Sequence, residues 1–95
     1  IYILIYIMDI NQLVEIVKKK ITNKLDVESI TIDDKTFLHA NHKSFKKNKF
    51  HLKITIKSRD LNNKSSFDST KIIYKIIDEE IKKYIHSIQI SFKKF

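Results

Sequence analysis

FHLKITIK, residues 50–57, alternates without a fault. Phe50, Leu52, Ile54 and Ile56 fall on one side, and His51, Lys53, Thr55 and Lys57 on the other, because successive side chains of a strand face opposite ways. Such a segment is half apolar by design. Its backbone needs neighbouring strands, and only one of its faces needs an apolar cover. Two other segments meet the first need. Residues 27–34, VESITIDD, are β-branched and alternating, with Ile30 and Ile32 sharing a face. Residues 86–92, HSIQISF, set His86, Ile88, Ile90 and Phe92 against Ser87, Gln89 and Ser91.

Two amphipathic segments meet the second need. In residues 9–25, DINQLVEIVKKKITNKL, the apolar Ile10, Leu13, Val14, Val17 and Ile21 recur at helical spacing, with lysines on the other side. Asp9 suits an N-cap, and Gln12 three residues on completes a capping box. Residues 67–84, FDSTKIIYKIIDEEIKKY, predict one second long helix with Ile73, Ile77, Ile81 and Tyr84 as its stripe. Thr70, Tyr74 and Ile76 flank that stripe, and Ser65, Ser66 or Asp68 can cap its start. The order is α-β-β-α-β. A hairpin joins the first two strands, and the second helix is a right-handed crossover that brings the last strand in parallel. The expectation is an α+β two-layer domain: a three-stranded mixed sheet with both helices on one face.

Ninety-five residues suffice for one such domain, and no internal repeat divides it. Residues 1–8 are expected to be an apolar extension or the remnant of a leader, with the domain over 9–95; a short added strand is the alternative. IYILIYI, residues 1–7, falls far short of the ~20 apolar residues that cross a bilayer. No membrane span is expected.

What is missing narrows the chemistry. There is no glycine, which removes the P-loop, the dinucleotide fingerprint and the glycine clamp of RNA-binding KH domains. Asn62 and Asn63 are left to serve any left-handed turn position. There is no cysteine, which removes disulfides, a thiol nucleophile, zinc ribbons and a self-contained all-cysteine iron–sulfur site. Asp33-Asp34 and Asp78-Glu79-Glu80 read as a turn and a solvated helix face rather than paired catalytic acids. No catalytic residue is assigned, and no enzyme is expected.

Net charge is +8, almost all of it lysine, which favours an acidic partner. Arg59 is the single arginine, which argues against sequence-specific base reading. Lys43, Lys46, Lys47 and Lys49 surround Phe45 in HKSFKKNK, residues 42–49. With Arg59 they are candidate contacts to a partner or to nucleic acid, through charge and one stacking ring; a solvated loop is the plain alternative.

Four histidines remain. His39 and His42 stand three apart in a polar loop over 36–49, a spacing that does not by itself define a metal site. His51 falls on the solvent side of its strand. His86 opens the last strand, either as an edge-of-core residue or, if exposed, as a ligand on a rigid element.

TFLHANH (36–42), HLKITIKSRDL (51–61) and IIYKIIDEEIKKYIHSIQI (72–90), in this order and spacing, resemble the BolA-like family over about residues 9–92. The resemblance implies the BolA-like, class II KH-like fold. It also implies a non-enzymatic partner of a monothiol glutaredoxin that shares a [2Fe–2S] cluster with it, in iron–sulfur cluster assembly, trafficking or iron regulation. Matched by position, the ligands are His86 and His39, with His42 the alternative loop ligand and His51 a weaker competitor. Two imidazoles on one iron are chemically sound, as in Rieske centres. A glutaredoxin cysteine and the glutathione thiol would complete the set, so the isolated chain is expected to hold no cluster. Ligation needs neutral imidazoles, so assembly should weaken as pH falls through their titration range. The chain departs from the family pattern at Ser69 and Thr70, where an Arg-His pair is usual, and at Asn63, where a glycine is usual. The alternative is a KH-like nucleic-acid-binding or transcription-regulating module. Either role is compatible with a cytoplasmic or a mitochondrial protein.

Overall fold

The computed structural model describes residues 8–36 and 49–95. Helix α1 is Ile10–Lys24, strand β1 Val27–Asp34, strand β2 Phe50–Ser58, helix α2 Ser66–Ile76, helix α3 Asp78–Tyr84 and strand β3 Ile85–Lys93. A short 3-10 turn, Arg59–Leu61, follows β2. Residues 1–7 and most of the loop over 36–49 lie outside the described residues. Met8 is buried in the domain core.

Helix α1 begins where its caps dictate. The Asp9 carboxylate accepts from Gln12 N at 2.8 Å, and the Gln12 side chain accepts from Asp9 N at 3.2 Å. Ser65 caps α2, its hydroxyl accepting from Asp68 N at 3.1 Å. Strand β2 is central, antiparallel to β1 and parallel to β3. The alternation expected for β2 holds from Leu52 to Lys57. Ile54 lies between Ile32 and Ile90, and Ile56 between Ile30 and Phe92, on the face that the helices cover. Leu13, Val17 and Ile21 of α1 and Ile73 and Ile77 of the crossover are fully buried against that face. The other face carries Thr31, Thr55 and Ser91 in one row, and Asp33, Lys53 and Gln89 in the next.

Three expectations need correction. The second long helix is two helices, divided at Ile77 (φ −110°, ψ 26°). Ile77 N still donates to Ile73 O at 3.1 Å, and Ile81 N to Ile77 O at 3.0 Å, so the axis jogs without a gap. The division turns Asp78, Glu79 and Glu80 into the first turn of α3, where negative charge meets the positive end of the helix dipole. Glu80 is not on a solvated face: it is 4% exposed, and Lys20 Nζ of α1 donates to its Oε2 at 2.6 Å. Asn62 is right-handed (φ −60°, ψ −35°), because it closes the 3-10 turn rather than reversing the chain.

The joint between β2 and α2 is held by short polar contacts. The buried Ser58 hydroxyl donates to Asp26 O at 2.8 Å, and Asp26 N donates to the Asp60 carboxylate at 2.7 Å. Leu61 is thereby seated in the core, so the turn over residues 59–61 is an anchored corner.

Candidate functional site

The parallel pairing of β2 and β3 decides where the histidines meet. Phe50 pairs with Ile85, but His51 pairs with Ser87, so β3 carries one extra residue at this point. That residue is His86. A bulge of this kind re-aims a side chain that strict alternation would have placed with its neighbours. Ile85 takes the buried position and His86 is exposed. Of the two readings open for His86, the exposed one on a rigid strand start is the one observed.

His51 is not the solvent-side residue that alternation implied. It lies on the face away from the helices, yet is only 3% exposed. Its ring centroid is 5.0 Å from that of His86, with the planes 65° apart. Its Nδ1 and the Ser87 hydroxyl are 2.6 Å apart, which fixes the ring. Its backbone is clamped as well: His51 N donates to Thr36 Oγ1 at 3.1 Å, and Lys35 N donates to His51 O at 2.7 Å. Lys35, Lys53, Ser87 and Gln89 join His51 around an adjoining cleft of about 450 Å³. The end of the sheet therefore presents one exposed and one buried imidazole in a basic setting.

The spacing suits a shared metal. Imidazole nitrogens bind transition metals at about 2 Å, and two rings on one tetrahedral ion then have centroids about 5 Å apart. Among the described residues, no three His, Cys, Asp or Glu side chains converge as a metal site. His39, His42, Lys43, Phe45, Lys46 and Lys47 lie outside the described residues. Lys49 is described: its ammonium donates to Lys82 O at 3.0 Å, tying the start of β2 to the last turn of α3. Arg59 sits at the far end of β2, beside Asp26 (3.5 Å) and Glu28 (3.9 Å) and over the Phe95 ring at 4.8 Å. The arrangement does not bring Arg59 to the histidines.

Alternation alone put His51 in solvent, where the structure buries it. The usable signal was the crossover itself. A parallel partner strand that starts at residue 85 or 86 sets its first residues beside the first residues of β2, and His51 is one of these.

A central mixed sheet, an α-β hairpin order and a crossover that ends in a histidine-bearing strand are the features of one known class. The family model of the BolA-like protein matches residues 21–94, and the chain belongs to the BolA-like family. Among solved structures, the BolA domain of SufE1 from Arabidopsis thaliana is similar at 24% identity with a TM-score of 0.72, over 84% of this chain and 88% of that one. BolA1 from Arabidopsis thaliana is similar at 20% identity and TM-score 0.70, over the same shares. A Bol-like protein from Babesia bovis has 15% identity and TM-score 0.66, over 84% of this chain and 81% of that one. Comparison with curated proteins gave no match. The expected α+β fold and the family resemblance are both borne out. No helix among the described residues is long and apolar enough to cross a membrane.

Proposed function

We propose that the chain is a non-enzymatic adaptor that docks on a monothiol glutaredoxin and contributes histidine ligands to a shared [2Fe–2S] cluster. The observation that carries this reading is the His51–His86 pair: two imidazoles with centroids 5.0 Å apart, one exposed on a strand start and the other held by Ser87. His86 is the ligand a partner can reach. Its companion is His51 or one of the loop histidines, His39 and His42. The chain has no thiol, so a glutaredoxin cysteine and glutathione would supply the other ligands. Imidazole in place of thiolate raises the potential of such a cluster, so the shared species would differ from one held by thiolates alone. Lys35 and Lys53 in the adjoining cleft suit glutathione carboxylates or an acidic partner surface.

The test is an anaerobic titration of the chain into glutathione-bound, cluster-loaded monothiol glutaredoxin, read by visible circular dichroism. His86→Ala, His51→Ala, His39→Ala and His42→Ala are run in parallel. A new spectrum that disappears with His86→Ala and with one further variant supports the proposal and identifies the second ligand. A spectrum unchanged by the folded chain would sink it. Nucleic acid is disfavoured as the partner, because Arg59, the residue best suited to phosphates, is already engaged by two carboxylates and a ring.

A further inference from the structure

On the helical side of the molecule, well apart in chain and chemistry from the histidines, α1 and α2 leave a groove between them. It consists of two adjoining hollows of about 300 and 410 Å³ that share Lys24 and Ile76 as walls. The half-buried Ile72 and Ile76 of α2 form an aliphatic floor. Lys20 and Lys24 of α1 and Lys75 of α2 stand along the edges. Lys20 is neutralised by Glu79 and Glu80, but Lys24 and Lys75 have no ion pair among the described residues. One turn further along α2, Lys71 sits over the ring of Phe67, which is 70% exposed.

We infer that this α1–α2 groove docks an acidic amphipathic segment of a partner protein, with its apolar side chains on Ile72 and Ile76 and its carboxylates on Lys24 and Lys75. Charge complementarity selects the occupant. Two unpaired lysines on opposite edges fit a strip that carries acids on both flanks of an apolar line. The chain's own residues 1–7 are apolar enough but carry no acid. Single-stranded nucleic acid favours aromatic floors for stacking, and this floor is aliphatic. A bilayer surface favours a protruding apolar face, and this one is recessed between two helices. An amphipathic helix laid in a groove is a common recognition mode and reads i, i+4 anchors, the spacing that Ile72 and Ile76 themselves present. The groove involves none of the histidines, so this inference stands or falls independently of the cluster.

The probe is a fluorescein-labelled peptide with leucines at i, i+4 and i+7 flanked by glutamates. Its scrambled isomer, oligo-thymidine and phosphatidylserine vesicles are run beside it. Binding is read by anisotropy and by amide shifts of the isotopically labelled full chain. The expected result is saturable binding of the patterned peptide, with shifts centred on Asn23, Lys24, Ile72, Lys75 and Ile76. Affinity should fall about tenfold in Lys24→Glu/Lys75→Glu and in Ile76→Ser, variants whose fold is checked by far-ultraviolet circular dichroism. Equal binding of the scrambled isomer would reduce the groove to generic charge and overturn the proposal. So would preferential binding of oligo-thymidine or vesicles at the groove, or an absence of groove shifts with the patterned peptide up to about 1 mM.

Discussion

The two faces of β2 are written in the same nine residues and do different work. Leu52, Ile54 and Ile56 lie under the helices and are sealed from solvent. Lys53, Thr55 and Lys57, interleaved with them, stay partly exposed on the other face. His51 breaks the symmetry: it belongs by parity to the open face and by burial to the closed one. Burial on the closed face is made by apolar packing and is indifferent to chemistry. Burial of His51 comes with a fixed ring, a clamped backbone and a second imidazole alongside. Burial alone therefore does not mark a site; the proposed function rests instead on burial of a ligand-type side chain next to an exposed one.

The largest effect should come from the closed face. Ile54→Ala removes a fully buried side chain on the central strand and should cost about 3–4 kcal/mol in urea unfolding. Thr55→Ala, one residue on and facing the other way, should cost less than about 0.5 kcal/mol. If the two costs came out alike, the contrast between the faces would be broken.

Glu80 supplies the next test, because it is the other buried titratable group with a clear role. It links α3 to α1 through Lys20, sixty residues away in sequence. The two partners are not equivalent. Glu80 is nearly sealed, whereas the Lys20 side chain is 37% exposed and can return to water. Lys20→Ala would strand a buried carboxylate and should cost about 2 kcal/mol; this is below the usual cost of breaking a buried pair because solvent reaches one partner. Glu80→Met should cost under about 1 kcal/mol, since a well-packed apolar replacement removes the desolvation with the charge. Equal costs for the two would show that the pair acts as a surface bridge.

How far these features can be read in the sequence depends on their range. Asp9 with Gln12 announced the first helix, and strict alternation announced β2, because both are local. The parallel third strand followed from the crossover. Three features were not legible. The break at Ile77 has no glycine or proline to signal it. The bulge at His86 depends on register between two strands thirty-five residues apart, which alternation within one strand does not encode. The His51–His86 contact is a consequence of that register. Alternation within β2 put His51 on the solvent side, and only the register with β3 shows it sealed beside His86.

Ser87 tests the link between the two imidazoles at a smaller cost. Ser87→Ala deletes the 2.6 Å contact to His51 Nδ1 and should destabilise the fold by about 1 kcal/mol. If the proposed function holds, it should also loosen the His51 ring and weaken the cluster-dependent spectrum without abolishing it, while His86→Ala changes stability by less than about 0.5 kcal/mol and abolishes the spectrum. A Ser87→Ala protein with an intact spectrum and lowered stability would place His51 among purely structural residues.

The smallest effect separates two adjacent carboxylates. Glu79 is on the surface, and the Lys83 ammonium that hydrogen-bonds it, with the added charge of Lys20, holds its carboxyl below the ordinary glutamate value of 4.5. A carboxyl lowered in the folded state contributes stability above its unfolded pKa and loses it as pH falls through the folded one. The difference in unfolding free energy between the native chain and Glu79→Gln should therefore be flat near neutrality and shrink on acidification below about pH 4.5. Lys20, raised above 10.5 chiefly by its hydrogen bond to Glu80, runs the other way: its contribution is complete below that value and is lost as pH rises through the higher folded one. Both effects should fade differently in salt. The solvent-exposed Glu79–Lys83 pair is screened by added electrolyte, while the nearly sealed Glu80 carboxylate keeps its partner Lys20. A Glu79 contribution that survived ~1 M salt would mean that the neighbouring carboxylates form one network, and that the division between surface charge and buried lock drawn at Glu80 lies one residue too late.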